Sequence, residues 1–253
     1  MAGPTVLVTG MSGLIGGAVL RHLGAKYTFR ALNRRAVAGV PCHQADIADL
    51  DAIQPAFAGV EAVVHLAANA SASARFDETL RANVVGTYNV FEAARRAGVR
   101  RVVYASSGAT VSGYERDMPY SALVTGRGPE VGRWPMLTHE SPVRPAAFYG
   151  ASKVWGEALA RHYADAHAMS MLCLRIGHVT AEDRPLSPRD FSVWCSQRDI
   201  VRMIELCLDA PAMLRFDVFF VVSQNRWSYR DLAHAREVLG FAPQDSAEKF
   251  AAG

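Results

Sequence analysis

Tyr149 and Lys153 stand four residues apart in Tyr149-Gly150-Ala151-Ser152-Lys153, within a stretch of helical character. A spacing of four puts the phenol and the ammonium on one face of a helix, one turn apart. A cation beside a phenol favours the phenolate and is expected to lower its pKa from the usual value of about 10. That would make Tyr149 an acid/base usable nearer neutrality. The chain holds three lysines (Lys26, Lys153, Lys249) against 24 arginines, so lysine is not its default cation.

A second pattern lies near the N-terminus. Val6-Leu7-Val8-Thr9-Gly10-Met11-Ser12-Gly13-Leu14-Ile15-Gly16 spaces glycines as G-x-x-G-x-x-G, after a strand-like run and at the start of an amphipathic stretch. A tight turn followed by a helix N-terminus brings backbone amides close enough to hold a pyrophosphate. The motif is weak by spacing alone, and its place on the first strand of an alternating chain gives it weight.

The elements that must position these residues alternate along the chain. Thr5–Thr9, Tyr27–Leu32, Ala62–Leu66, Arg101–Ala105, Met171–Ile176 and Phe216–Val222 read as strands. Several are unbroken apolar runs, as suits strands covered on both faces. Between them, Leu14–Leu23, Leu50–Phe57, Glu78–Ala97, Ala147–Ala166, Arg198–Leu208 and Tyr229–Leu239 read as helices. The expected fold class is α/β, a Rossmann-type doubly wound parallel sheet with helices on both faces. Gly98 and Gly240 fall where helix C-terminal caps want positive φ. Residues 112–146 and 177–197 break the alternation and read as loops. Open α/β sheets bind ligands beyond the carboxyl ends of their strands, so both loops are expected over one cleft.

Composition narrows the class. The 253 residues are half hydrophobic and one-fifth charged, which excludes a disordered tail, a collagen-like repeat and a disulfide scaffold. The net charge of +3 comes from scattered residues, with no basic stripe to meet nucleic acid. Four separated cysteines (Cys42, Cys173, Cys195, Cys207) make no C-x-x-C pair and read as free thiols, so no metal site is expected. The N-terminus has no basic n-region, and the longest apolar run, Val218–Val222, is far short of a membrane span. The expectation is a cytoplasmic protein with no membrane or nucleic-acid partner.

Together these residues resemble the extended short-chain dehydrogenase/reductase family, its epimerase/dehydratase-like branch. Asp46-Ile47, His65-Leu66-Ala67-Ala68, Asn83-Val84-Val85-Gly86-Thr87, Ser106-Ser107 and Arg175-Ile176-Gly177 support the resemblance over nearly the whole chain. It implies a dinucleotide site at Gly10, Gly13, Leu14, Ile15 and Gly16, with Leu66, Ala67, Ala68 and Ile176 along the track. Asp46 and Ile47 would flank the adenine, and Asn83 would be a structural helix residue beside the site. Tyr149 would be the acid/base, Lys153 would hold the nicotinamide ribose, and residues 1–176 would form the cofactor domain. Residues 177–253 would be a small C-terminal substrate-side part packed on that domain.

Within the branch the chain looks most like uronate dehydrogenases. That pattern implies substrate contacts at Ser71, Ser107, Gly108, His178 and Arg189, where the planar fork of arginine suits a carboxylate. The chain departs from the pattern in four places. Ala109 stands for a substrate-binding His, His178 for a Ser, Gly108 for the catalytic Ser/Thr of the wider branch, and the 112–146 loop is longer. The hydroxyl role therefore passes to Ser107, with Thr110 in reserve. NAD-preferring relatives end the second strand with an acidic residue, and here Asn33, Arg34 and Arg35 stand there. Two guanidiniums and no carboxylate favour NADP over NAD.

The function expected is a hydride transfer between a nicotinamide cofactor and a free sugar, sugar acid or polyol. A non-redox epimerase or dehydratase with retained cofactor is the first alternative. Against it, little chain follows Ile176, and neither Gly108 nor Ala109 supplies a dehydratase carboxylate. A catalytically inactive cofactor-binding regulator is the second, and it need keep neither Tyr149 nor Lys153. The resemblance also implies a possible homodimer through Glu78–Ala97 and Ala147–Ala166.

Overall fold

The computed structural model describes residues 3–71 and 74–251. Seven strands make one sheet: β1 (Thr5–Thr9), β2 (Thr28–Asn33), β3 (Cys42–Gln44), β4 (Ala62–His65), β5 (Arg101–Ser107), β6 (Ser170–Ile176) and β7 (Phe216–Val221). They lie in the order β3-β2-β1-β4-β5-β6-β7, and every pairing is parallel. The order reverses between β1 and β4, the crevice where such sheets take dinucleotides.

Nine α-helices accompany the sheet: α1 (Leu14–Leu23), α2 (Leu50–Ile53), α3 (Phe76–Thr79), α4 (Gly86–Arg96), α5 (Tyr120–Val124), α6 (Phe148–His167), α7 (Asp190–Val193), α8 (Gln197–Asp209) and α9 (Ala233–Leu239), all among the described residues. Successive side chains of a strand point to opposite faces, and the core divides accordingly. Val6 and Val8 pack with residues of α1 and α8, whereas Leu7 joins residues of α4 and α6 on the other face. All seven residues of β6 are buried, which is why that strand reads as an unbroken run. A third, smaller cluster gathers Val111, Tyr120, Leu123, Leu137, Val193, Phe220 and Tyr229 near one end.

Most expected elements are present, with five informative differences. The edge strand β3 was not expected, because its Cys-His-Gln run is only half-buried and carries no apolar pattern. The Leu50–Phe57 helix changes to a 3₁₀ turn at Gln54–Phe57, where Pro55 cannot donate a backbone hydrogen bond. The Glu78–Ala97 helix starts at Phe76 and is interrupted by a π-helical segment, Leu80–Val85. The Tyr229–Leu239 helix begins only at Ala233, whose N–H donates to the Asp231 carboxylate. The 112–146 segment is partly ordered into the end of a 3₁₀ helix (Gly108–Arg116), α5 and a second short 3₁₀ turn. Gly98 and Gly240 do adopt positive φ, 73° and 69°.

The chain beyond Ile176 adds β7 to the same sheet and α8 to the same core. Among the described residues no helix is long and apolar enough to cross a membrane.

Candidate active site

The glycine turn follows β1 directly. Gly10 has φ +72°, and a Cβ there would stand 2.8 Å from the Ala67 nitrogen on the neighbouring strand's extension. Gly16 faces Met11 so closely that a Cβ would meet its Cα at 2.5 Å. Glycine is therefore required twice, once for a left-handed turn and once for close helix packing. Gly13 is the N-cap residue of α1, with no side-chain cap on the first amides. Those amides open into a cleft of about 550 Å³ that Gly10, Gly13, Leu14, Ile15 and Gly16 line on one side. Leu66, Ala68 and Ile176 continue the same wall. A glycine cradle at a helix N-terminus fits the pyrophosphate of a dinucleotide.

The same cleft carries the expected tyrosine, lysine and serine. Tyr149 and Lys153 project from the first turns of α6, and Ser107 ends β5; all three line the cleft. Lys153 is buried, donates to the Ala105 carbonyl at 2.7 Å, and sits 5.6 Å from the centre of the Tyr149 ring. Ser107 accepts from the Ala109 N–H at 3.1 Å, which leaves its own proton to give away. Thr110, the reserve hydroxyl, instead donates to the Ser107 carbonyl at 2.9 Å and is fully buried.

Electrostatics correct one expectation. Burial pushes the Tyr149 phenol above its ordinary value, and a hydrogen bond with Ser107 works against that rise. Burial also drives the Lys153 ammonium down to about 7, so Lys153 loses the full charge that was to lower the phenol. Desolvation outweighs proximity for both groups. The buried His65, between Thr9 Oγ1 at 2.7 Å and Thr87 Oγ1 at 3.2 Å, falls to about 3 by burial and stays neutral.

The remaining expected residues fall into two groups. Asn33 ends β2 and donates to Ser12 Oγ at 2.7 Å, while Arg34 and Arg35 beyond it are exposed. Asp46 pairs with Arg81 at 3.0 Å, and its carboxyl is held below the usual range first by the Ala48 N–H. Ile47 is buried against Gly86. Ala67 donates its N–H to Thr9 Oγ1 at 3.1 Å. Asn83 does not reach the cleft: within the π-helical segment it accepts from the Asn69 N–H and donates to the Asn69 carbonyl and Ser152 Oγ. It fastens the loop after β4 to the helix that carries Tyr149. Ser71 lies exposed at the end of that loop.

On the substrate side, His178 and Arg189 line the cleft from the 177–197 segment, as expected of that loop. His178 Nδ1 bonds Asp190 Oδ1 at 2.6 Å, and Asp190 is buried. Arg189 grips Glu115 through two bonds of 2.7 Å, so the 112–146 segment acts on the site through Glu115. Gly108 lies beneath a residue that the sequence reading missed, Arg230. Reading Tyr229–Leu239 as helix hid it. Asp231, whose carboxylate accepts from the first amide of α9, was the available signal, since a helix starting after it would have released Tyr229 and Arg230 into a loop.

Fold and site define a Rossmann-type dinucleotide-binding protein with a tyrosine–lysine–serine centre at the carboxyl edge of its sheet. The chain belongs to the NAD dependent epimerase/dehydratase family, whose model matches residues 6–238. It is 35% identical to an NAD-dependent glucose-6-phosphate dehydrogenase of Haloferax volcanii, over 97% of this chain and 95% of that one. A uronate dehydrogenase of Agrobacterium fabrum is 37% identical over 83% of this chain and 71% of its own length. The crystal structure of uronate dehydrogenase from Agrobacterium tumefaciens superposes with a TM-score of 0.82 at 34% identity, covering 99% of this chain and 88% of that one.

Proposed function

We propose that this chain is an NAD(P)-dependent dehydrogenase of sugars or sugar acids, with Tyr149 as acid/base, Lys153 beside it and Ser107 as the hydroxyl donor. The observation that carries the reading is the convergence of these three side chains on one cleft, across from the glycine cradle of α1. The nicotinamide dinucleotide, when bound, supplies the hydride acceptor. Tyr149, as phenolate, takes the proton of the substrate hydroxyl while the C–H pair leaves as hydride, so that a carbonyl forms. Ser107, whose hydroxyl bonds Tyr149 in the free protein, turns its proton to that oxygen as it gains carbonyl character. Lys153, 5.6 Å from the centre of the Tyr149 ring, favours the phenolate only in its charged form. Orientation of these groups in one cleft supplies the catalysis, with Tyr149 as the acid/base.

NADP is the preferred cofactor in this reading, supported by the exposed Arg34 and Arg35 after β2 and by Asn33 in place of a carboxylate. Residues 1–176 bear the cofactor contacts, and residues 177–253 add His178 and Arg189 on the substrate side. Ser71 and Gly108 complete that side in the uronate dehydrogenase pattern. A homodimer through α4 and α6 is supported by the exposed Phe76, Leu80, Val85, Tyr88 and Phe148 on those helices and the turns leading into α4. A mass of two chains in solution would bear it out, and a monomer at all concentrations would not. Four cysteines without a disulfide suit a cytoplasmic setting.

Purified protein mixed with NAD or NADP and a panel of uronic acids, aldoses and polyols tests the reading. Growth of reduced-nicotinamide absorbance with at least one sugar, and a higher kcat/KM for NADP than for NAD, is the expected result. No reduction across the panel, with nucleotide released on denaturation, would favour non-redox chemistry instead.

A further inference from the structure

Arg230 is 2% exposed and lines the cleft beside Ser107, Tyr149 and His178. Its Nε and Nη1 are buried without a hydrogen-bond partner, and it makes no ion pair among the described residues. A buried guanidinium left in this state is costly, and native structures rarely keep one without a reason. The other basic side chains of the cleft are already partnered. Arg189 has both oxygens of Glu115, His178 has Asp190, and Lys153 has the Ala105 carbonyl. Glu115 feels the charge of Arg230, yet its oxygens are taken by Arg189 and by the Tyr229 hydroxyl at 2.6 Å.

The position is also built. The backbone on either side of Arg230 is clamped to Leu137, whose N–H donates to the Tyr229 carbonyl at 2.7 Å and whose carbonyl accepts from the Asp231 N–H at 2.9 Å. The guanidinium lies directly over Gly108, where a Cβ would stand 2.3 Å from its Cζ and Nη1. Any side chain at position 108 would occupy the place the guanidinium needs. The glycine that departs from the family pattern thus makes room for a cation one residue from Ser107.

We propose that Arg230 is the anion anchor of the substrate site, its guanidinium taking the carboxylate or phosphate of an acidic sugar from the cleft it lines as the counter-ion its buried charge lacks. The proposal rests on the dehydrogenase reading above and moves the anion from Arg189, whose fork is committed to Glu115, to Arg230. Carboxylate and phosphate share the chemistry, two or three oxygens able to accept from a planar fork.

The test compares wild type, Arg230→Gln and Arg230→Lys on D-glucuronate, D-glucose 6-phosphate and D-glucose, by steady-state kinetics. Titration calorimetry of the same three sugars into protein saturated with reduced cofactor, which cannot accept a hydride from them, runs beside it. Arg230→Gln is expected to raise KM and Kd for at least one acidic sugar roughly 10- to 100-fold. The kcat, the KM for cofactor and the constants for glucose stay near wild type, and Arg230→Lys falls between. The acidic sugar that carries the effect says whether carboxylate or phosphate is the natural group. Because the substitution removes an unpaired buried charge, Tm should hold or rise. Equal losses on glucose and on acidic sugars would overturn the anchor, as would a shift in cofactor KM alone. So would a wild type that binds neither acid better than glucose. Should Arg230→Gln not fold, the same split in Arg230→Lys decides. Lost anion binding without any wild-type turnover would keep the anchor and sink the dehydrogenase reading.

Discussion

Tyr149 and Lys153 share a helix face, and both have been moved by the same force. Burial raises the phenol and lowers the ammonium to about 7, because each charged form loses its water. For Lys153 the consequence is a linkage between pH and stability. Its unfolded value is 10.5, so between about 7 and 10.5 the unfolded chain holds a proton that the folded chain has lost. Stability then rises with pH across that window, and below it the folded protein carries the full cost of a buried ammonium. Lys153→Met should therefore raise the Tm of the cofactor-free protein at neutral pH, with a gain that shrinks as pH climbs toward 10.5. Thermal melts at several pH values check this, and a variant less stable than wild type at neutral pH would contradict it.

At the level of elements, the cradle depends on one backbone angle and one close approach. Gly10→Ala forces a side chain into φ +72° and against the Ala67 nitrogen, which should cost about 1–3 kcal/mol of stability. Cofactor affinity should fall with it, measured by quenching of intrinsic fluorescence on titration with NADP, whereas an affinity equal to wild type would separate the turn from the site. The main strands and the paired Tyr149–Lys153 were legible because each rests on a local period: apolar runs for covered strands, a spacing of four for a helix face. What the sequence hid depends on partners far along the chain. β3 is recognisable only once β2 lies beside it. The π-helical segment is held by Asn83 bonding across to Asn69 and Ser152. Arg230 reaches the cleft because Leu137 clamps its loop and Gly108 vacates the space. Glu115 and Asp190 were hidden likewise, since their partners, Arg189 and His178, lie 74 and 12 residues away.

The whole molecule divides its labour across one crevice. The end of β1 and the start of α1 supply a glycine cradle, β5 and α6 bring Ser107, Tyr149 and Lys153 to the cleft, and the chain after β6 adds His178, Arg189 and Arg230 to its lining. Any cofactor that binds only this folded arrangement stabilises it by mass action, about 2.7 kcal/mol at a hundredfold excess over Kd. The central claim is that hydride transfer in this crevice depends on the Tyr149 hydroxyl. The most direct measurement compares wild type with Tyr149→Phe in the reduced-nicotinamide assay, on a sugar the wild type oxidises, with cofactor affinity measured on both. Loss of the acid/base alone predicts that kcat falls roughly 10²–10⁴-fold while the cofactor Kd barely moves. A phenylalanine variant that turns over near the wild-type rate would contradict the account and place the proton transfer elsewhere.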